Sequence, residues 1–305
     1  MTSLLTNSAA MVALATLADI NNNLATTNNR VSTGLRIAQA SDSAAYWAIA
    51  TTTRSDNGAL STVKDALAIG AATMDVTYEG LESVRENLQE MKQLLVAARQ
   101  PGVDRGNVQT QIAGLITDMQ NKAGASVINE QNFLEVTTGG TFNATKSVVA
   151  SFERAAGGAV SVSTIDLNIT DVYLIDTNAD AGILDEDRTV GGTTTSILNI
   201  DISALTDSAA DLTTLDETIG IVDAALVDVI SASNSVGVVQ ARIESQMSFV
   251  DALMDANDRA VGALVDANME EESTKLRALQ TQQQLAVQSL AIANSSAQNV
   301  LALFG

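Results

Sequence analysis

The sequence predicts a mainly α fold with a β-rich insert: an elongated antiparallel helical bundle or coiled coil formed by the N- and C-terminal segments, carrying a small β domain. Three observations predict it. Apolar and small residues step by three and four at both ends, through Ala10, Ala13, Leu17, Ile20, Leu24, Thr27 and Val31, and through Leu276, Leu279, Gln283, Ala286, Leu290, Ala293, Ala297, Val300 and Phe304. That is the a/d spacing of a helix with one adhesive seam. One proline in 305 residues leaves long helices uninterrupted. Between the helical arms, glycine, threonine and serine cluster around short alternating runs, the texture of strands joined by turns.

The elements follow in chain order. The first 130 or so residues read as helix almost throughout. Asp42 or Ser43 is placed to cap a helix that runs to Pro101–Gly102, with Leu81, Val84, Leu88, Met91, Leu95 and Ala98 as its apolar stripe. At roughly 55 residues it far exceeds the mean helix of about 11–12, which implies bundle packing. A further helix is expected from Asp104 to Ala123. The runs TKSVVASFE, GAVSVSTIDLNIT and TTTSILNIDIS read as strands. Helix resumes near Leu205 and continues to the end, its stripe including Leu215, Ile219, Val222, Leu226, Val229, Val236, Val239, Ile243, Met247 and Val250. A β region set between two helical arms implies that the arms lie antiparallel on each other.

Composition narrows function. The net charge of −20, from 36 acidic and 16 basic side chains, disfavours nucleic acid and anionic lipid as partners. The absence of cysteine and histidine excludes disulfides, thiolate and imidazole metal sites, and histidine-containing catalytic triads. No cofactor is expected, and no enzymatic activity. The first residues carry no basic residue before Arg30 and no apolar run long enough to span a bilayer, so no cleaved signal peptide and no membrane insertion are expected. Long interaction helices at the termini, where domains normally fray, point to assembly as the function.

The residues RVSTGLRIAQASDSAAYWAIA, 30 to 50, together with TYEGLESVRENLQEMKQL and the C-terminal stretch through DANMEEES and NVLALF, resemble bacterial flagellin. The tail and the Tyr46–Trp47 pair are similar to alphaproteobacterial members. The resemblance implies a flagellar filament subunit for swimming motility, exported unfolded through the flagellar type III channel without a cleaved signal. It then polymerises into a hollow helical homopolymer, alone or with other flagellins, in the secreted, extracellular filament. It also implies an export chaperone, a filament cap and hook-junction proteins as partners. By the same resemblance, residues 1–40 and 270–305 form the inner coiled-coil domain, 41–135 and 205–269 the helical wall, and 136–204 the outer surface domain. The alternatives are a hook–filament junction protein of the same superfamily and, from another class, a secreted calcium-dependent adhesin.

Candidate site residues divide into three groups. The assembly set is Leu17, Leu24, Val31, Leu276, Leu279, Leu290, Val300 and Phe304 on the seams, with Arg30, Gly34, Leu35, Arg36 and Asp42 at the junction behind them. There Gly34 permits a bend, and the arginines suit bidentate pairing with a neighbour's carboxylates, Asp42 and Glu270–Glu271–Glu272 being candidate partners. Tyr46 and Trp47 read as packing anchors. The second group is the loop DTNADAGILDED, in which Asp176, Asn178, Asp180 and Asp187 occupy ligand positions of a calcium loop. Its turn glycine is displaced by one residue, which favours a solvated acidic loop and no metal. The third is Glu90: flagellins recognised by the vertebrate Toll-like receptor carry Leu-Gln-Arg-Val-Arg-Glu-Leu where this chain has LQEMKQL, so a reversed charge at that contact implies a poor agonist.

Overall fold

The computed structural model describes residues 7–140, 142–155 and 158–304, with side chains to Ser295. The helices are α1 (Ser8–Thr33), α2 (Ala44–Ala98), α3 (Arg105–Ala125), α4 (Ala209–Val265) and α5 (Met269–Phe304). The chain divides into two compact units, Met1–Gly58 with Leu253–Gly305, and Ala59–Ala252. The expected inner segments fall within the first unit and the expected insert within the second.

In the second unit, the apolar stripe read from the sequence becomes the core. Leu81, Val84, Leu88, Met91, Leu95 and Ala98 of α2 are fully buried, as are Leu215, Val222, Val229, Val236, Ile243 and Val250 of α4. Polar pairs hold the two helices in register. As the α2 partner advances from Lys64 to Asp75, Lys92 and Arg99, the α4 partner retreats by the same steps, from Asp251 to Gln240, Asp223 and Asp216. The helices therefore run antiparallel without slip. α4 is long and apolar enough to cross a membrane by length and composition alone, and 39% of its most apolar window is buried within the protein.

α2 stops before Pro101, and Asp104 caps α3 by accepting hydrogen bonds from the amides of Gly106 and Asn107 at 3.0 and 3.2 Å. Arg105, 7% exposed, ties this turn to the start of α4's approach: its guanidinium donates to Ala98 O, Leu205 O and the Asp207 carboxylate.

Among the described residues, four two-stranded sheets lie between α3 and α4. β1 (Val127–Ile128) pairs with β2 (Gln131–Asn132), and β3 (Glu135–Val136) pairs in parallel with β6 (Ile175–Asp176). The antiparallel hairpin of β4 (Thr145–Arg154) and β5 (Val160–Asn168) matches two of the three expected strands. It approaches α2 closely at Gly70, where an added Cβ would lie 2.5 Å from a Val148 methyl. The third expected strand is only partly realised. Thr193–Thr195 is β8, paired with β7 (Arg188–Val190), but Ile197–Asn199 is a 3-10 turn. The Gln109 side chain, donating to Ile200 O and accepting from Ile202 N–H, takes the place of a ladder partner.

The carboxylates of this unit make its fold acid-sensitive. Asp211 is held below its ordinary 3.8 by the Thr206 hydroxyl and amide and by Ser208. Asp216 is lowered by Arg99, and Glu217 by Thr193 and the Gly192 amide. A carboxyl whose folded pKa is depressed contributes stability above its unfolded value and loses it as pH falls. Asp185 runs the other way, because burial pushes it up despite amide donation from Asp176 and Gly182, so it opposes folding as pH rises above 3.8. The lowered groups outnumber it. The expected result is a melting temperature that is level near neutrality and falls once pH drops below about 4.5, the ordinary glutamate value. Thermal melts followed by circular dichroism from pH 7 to 2.5 check this.

Candidate assembly interface

The first unit is built on the antiparallel pair of α1 and α5. Asn7 starts α1 by accepting from Ala10 N–H at 3.0 Å, while its own amide donates to Ala293 O on α5 at 3.0 Å. Gln283 donates to Asn21 at 2.7 Å, and Arg30 reaches Glu272 at 3.1 Å, so polar rungs mark the pair at start, middle and end. Between them Ile20 and Thr27 are buried and Leu17, Leu24 and Val31 half-buried, facing Leu276, Leu279, Ala286 and Leu290. The seam residues therefore meet each other inside one chain. Val300 and Phe304 lie outside the residues whose side chains are described.

Closing this seam leaves the opposite faces uncovered. Met11, Val12 and Leu14 on α1, and Leu285, Val287 and Ile292 on α5, each expose more than half of their surface. Sequence reasoning missed these six because it followed the best heptad stripe. They lie one or two positions off it, where helices of Ala and Thr carry a second, broader apolar face.

The junction behind the pair is a compact knot. Gly34 ends α1 in the left-handed region at φ +72°, its amide returning to Arg30 O. The next residues add a short bridge to the end of α4: Leu35 pairs with Asp266, Arg36 N–H donates to Val265 O at 2.7 Å, and Ala267 N–H donates to Gly34 O. Ile37, Ala50, Val261 and Val265 form the core of this knot, with Leu35 and Leu264 packed on it. Nothing lies within 4 Å of a Cβ placed on Gly34, so Gly34→Ala meets only backbone strain. It is expected to cost about 1–2 kcal/mol, measurable as a lower denaturation midpoint of the first unit.

Three expectations change here. Arg30 finds its carboxylate, Glu272, within its own chain rather than on a neighbour. Asp42 does not cap α2; its carboxylate accepts from Ala38 and Gln39 N–H, closing the turn before the helix. The helix expected from Leu205 to the end is broken at residues 266–268, and α5 restarts with Asn268 accepting from Glu270 and Glu271 N–H. Asparagine followed by three glutamates at a helix start is a capping signature that marks this break in the sequence.

The acidic loop is closed on itself. Asp176 is buried and accepts from the Thr138 amide and hydroxyl and the Asn178 amide. Burial works to raise its pKa, but these hydrogen bonds prevail and lower it. Asn178 donates to Thr138 O at 2.6 Å, and Asp180 takes positive φ at the turn. Asp187 is exposed, whereas Asp185, not among the expected ligands, is buried and holds the Asp176 and Gly182 amides. Among the described residues no cluster of three or more acidic side chains is placed to hold a metal ion. Glu90 is exposed on α2.

With this geometry established, comparison with known proteins decides the family. The family model for the bacterial flagellin N-terminal helical region matches residues 4–138, and that for the C-terminal helical region matches residues 219–304. The chain belongs to the bacterial flagellin family. Flagellin C of Rhizobium meliloti (strain 1021) is 44% identical over 320 residues, covering 100% of this chain and 99% of the relative. Flagellin A of the same strain is 39% identical over 394 positions, covering both chains fully, and is therefore the longer protein. The flagellin of Brucella melitensis biotype 1 is 39% identical over 311 residues, covering 100% of this chain and 99% of its own. This flagellin is a structural subunit of the bacterial flagellar filament, located in the extracellular filament and assembling with copies of itself.

Proposed function

We propose that the α1–α5 pair and the junction at residues 30–42 are the assembly face through which this subunit polymerises into a hollow helical tube. The observation that carries the reading is the uncovered apolar surface of the pair: Met11, Val12, Leu14, Leu285, Val287 and Ile292 are exposed in the single chain. Apolar surface of this kind on a subunit marks a contact made elsewhere. Leu17, Leu24, Val31, Leu276, Leu279 and Leu290 then act by holding the two helices together, so that their outer faces are presented as one surface. Arg30, Gly34, Leu35, Arg36 and Asp42 fix the angle at which the pair leaves the junction. Val300 and Phe304 extend the same stripe.

In this reading residues 1–40 and 270–305 line the filament channel, 41–135 and 205–269 build the wall, and 136–204 face outward. The chain performs no chemistry and takes no cofactor. Its further partners are an export chaperone, the filament cap and hook-junction proteins. Glu90 on the wall makes it a poor agonist of the vertebrate Toll-like receptor. Electron microscopy of the purified protein seeded with sheared filament fragments tests the main claim. Long tubes with a central channel are the expected result. Monomers that persist, or short caps on the seeds, would assign the chain to the hook–filament junction instead.

A further inference from the structure

We propose that Asn143 and Asn168, side by side at the open end of the β4–β5 hairpin, are acceptors for a glycan linked through the asparagine nitrogen. The partner is a glycosyltransferase that reads Asn-X-Thr, and the inference stands independently of the polymerisation reading.

The sequence holds three Asn-X-Ser/Thr tripeptides with no proline at X: Asn143–Ala144–Thr145, Asn168–Ile169–Thr170 and Asn294–Ser295–Ser296. Such a tripeptide accepts a sugar only where its backbone is accessible and not locked in a helix. The third lies inside α5, and its Ser295 hydroxyl is turned back to Ile292 O. The first two leave regular structure at the same place. Thr145 and Asn168 are register partners at the end of the hairpin, and Ile169 N–H donates to Ala144 O at 2.8 Å. Asn143, Thr145, Asn168 and Thr170 are all exposed, while Ile169 is fully buried and anchors the pair.

Each asparagine is folded toward its own threonine. Asn143 Oδ1 accepts from Thr145 N–H at 3.0 Å. Asn168 Oδ1 accepts from Thr170 N–H at 3.0 Å and from the Thr170 hydroxyl at 2.8 Å. These bonds engage the carboxamide oxygen and not the nitrogen, and donation to that oxygen makes the amide N–H a readier proton donor. In the transfer, the nitrogen attacks the anomeric carbon of a glycosyl diphosphate. The C–N bond forms as the C–O bond breaks, the diphosphate leaves with the electron pair, and the nitrogen's proton passes to a base of the transferase. The structure also offers the sugar a seat. Asn143 and Thr145 line a groove of about 390 Å³ together with Ile69, Asn129, Gln131 and Lys146. Ile69 is 54% exposed and suits the apolar face of a sugar ring, with the exposed Asn129 and Gln131 side chains beside its hydroxyls. A bulky hydrated group here also shields the edges of a two-stranded ribbon from pairing with another chain.

The test uses full-length protein from the cells that naturally make it, taken both from the extracellular fraction and from the lysate. Proteolytic peptides carrying Asn143 and Asn168 are measured by mass spectrometry, with fragmentation that places any added mass on a single atom group. The expected result is the mass of one or more sugars on the side-chain nitrogen of either asparagine, with the Asn294 peptide unmodified. A single sugar identifies a nucleotide-linked donor and a preassembled oligosaccharide a lipid-linked one, and both support the site. Thr145→Ala and Thr170→Ala should each abolish the addition at the preceding asparagine, although that asparagine is still present. Thr145→Ser and Thr170→Ser should retain it, which separates loss of the hydroxyl from loss of the fold. Unmodified Asn143 and Asn168 peptides from the wild-type protein overturn the proposal and leave the polymerisation reading untouched. Sugar found only on hydroxyl groups, or sugar that persists on the asparagines of the alanine variants, overturns it as well.

Discussion

Leu279→Asp will abolish filament growth while leaving the second unit folded. Leu279 is 8% exposed at the middle of the α1–α5 pair, facing a seam otherwise built of Ala, Thr and single leucines. The substitution removes a buried leucine, about 1.5–3 kcal/mol, and places a carboxylate in the apolar seam, where burying a charge is costly. Neither helix is stable alone without tertiary packing, so losing the seam releases both and disperses the six outward apolar residues that form the proposed assembly surface. Seeded polymerisation read by sedimentation should show no pelleted protein. Circular dichroism should show partial helix loss with the main melting transition retained. Filaments of normal length from this variant would show that the pair is not needed for assembly.

Leu88→Ala should give the largest loss of stability from a single truncation. Leu88 is fully buried in α2, adjacent to Asn87, whose carbonyl oxygen accepts from Lys122 on α3, and one turn from Lys92, which pairs with Asp223 on α4. Helices from both flanks are thus held at this level by polar contacts, which limits their collapse into the space left by the missing atoms. A leucine cavity of this type costs about 2–5 kcal/mol, and in a unit of this size that lowers Tm by on the order of 10 °C. Val96→Ala, on the exposed side of the same helix, is the control and should change stability by less than about 0.5 kcal/mol. Equal melting shifts for the two variants would contradict the assignment of the core stripe. Because the expected Leu88 effect lies in the second unit, filaments should still form at temperatures below its melt.

Much of the fold was legible because helices of this length repeat their apolar face many times. The stripe from Leu81 to Ala98 was read residue by residue, and the turn at Pro101–Gly102 with its Asp104 cap follows from local backbone chemistry. The strands of the β4–β5 hairpin were visible as alternation. The TTTSILNIDIS run was not, because Ile197, Ile200 and Ile202 are buried in an irregular segment whose backbone is satisfied by the distant Gln109 side chain. The calcium-like spacing at 176–187 was equally ambiguous, since carboxylates that ligate a cation and carboxylates that cap amides have the same local pattern. The buried role of Asp185 depends on Asp176 and Gly182 being folded onto it. At the proposed assembly face, the stripe identified which residues are apolar but not what they meet.

The sequence by itself determined the helical arms, their apolar faces, the central change to strand texture and the family, because periodicity, capping and motif residues are local properties of the chain. Only the tertiary structure decided that the terminal seam closes within one chain, that Arg30 is paired by Glu272, that the helix breaks at 266–268 against Leu35, and that Tyr46 and Trp47 are left exposed. These outcomes depend on which distant segment arrives opposite a given face. A side chain's own position in the repeat records that a face is apolar, and the partner that covers it is set by the packing of the rest of the chain.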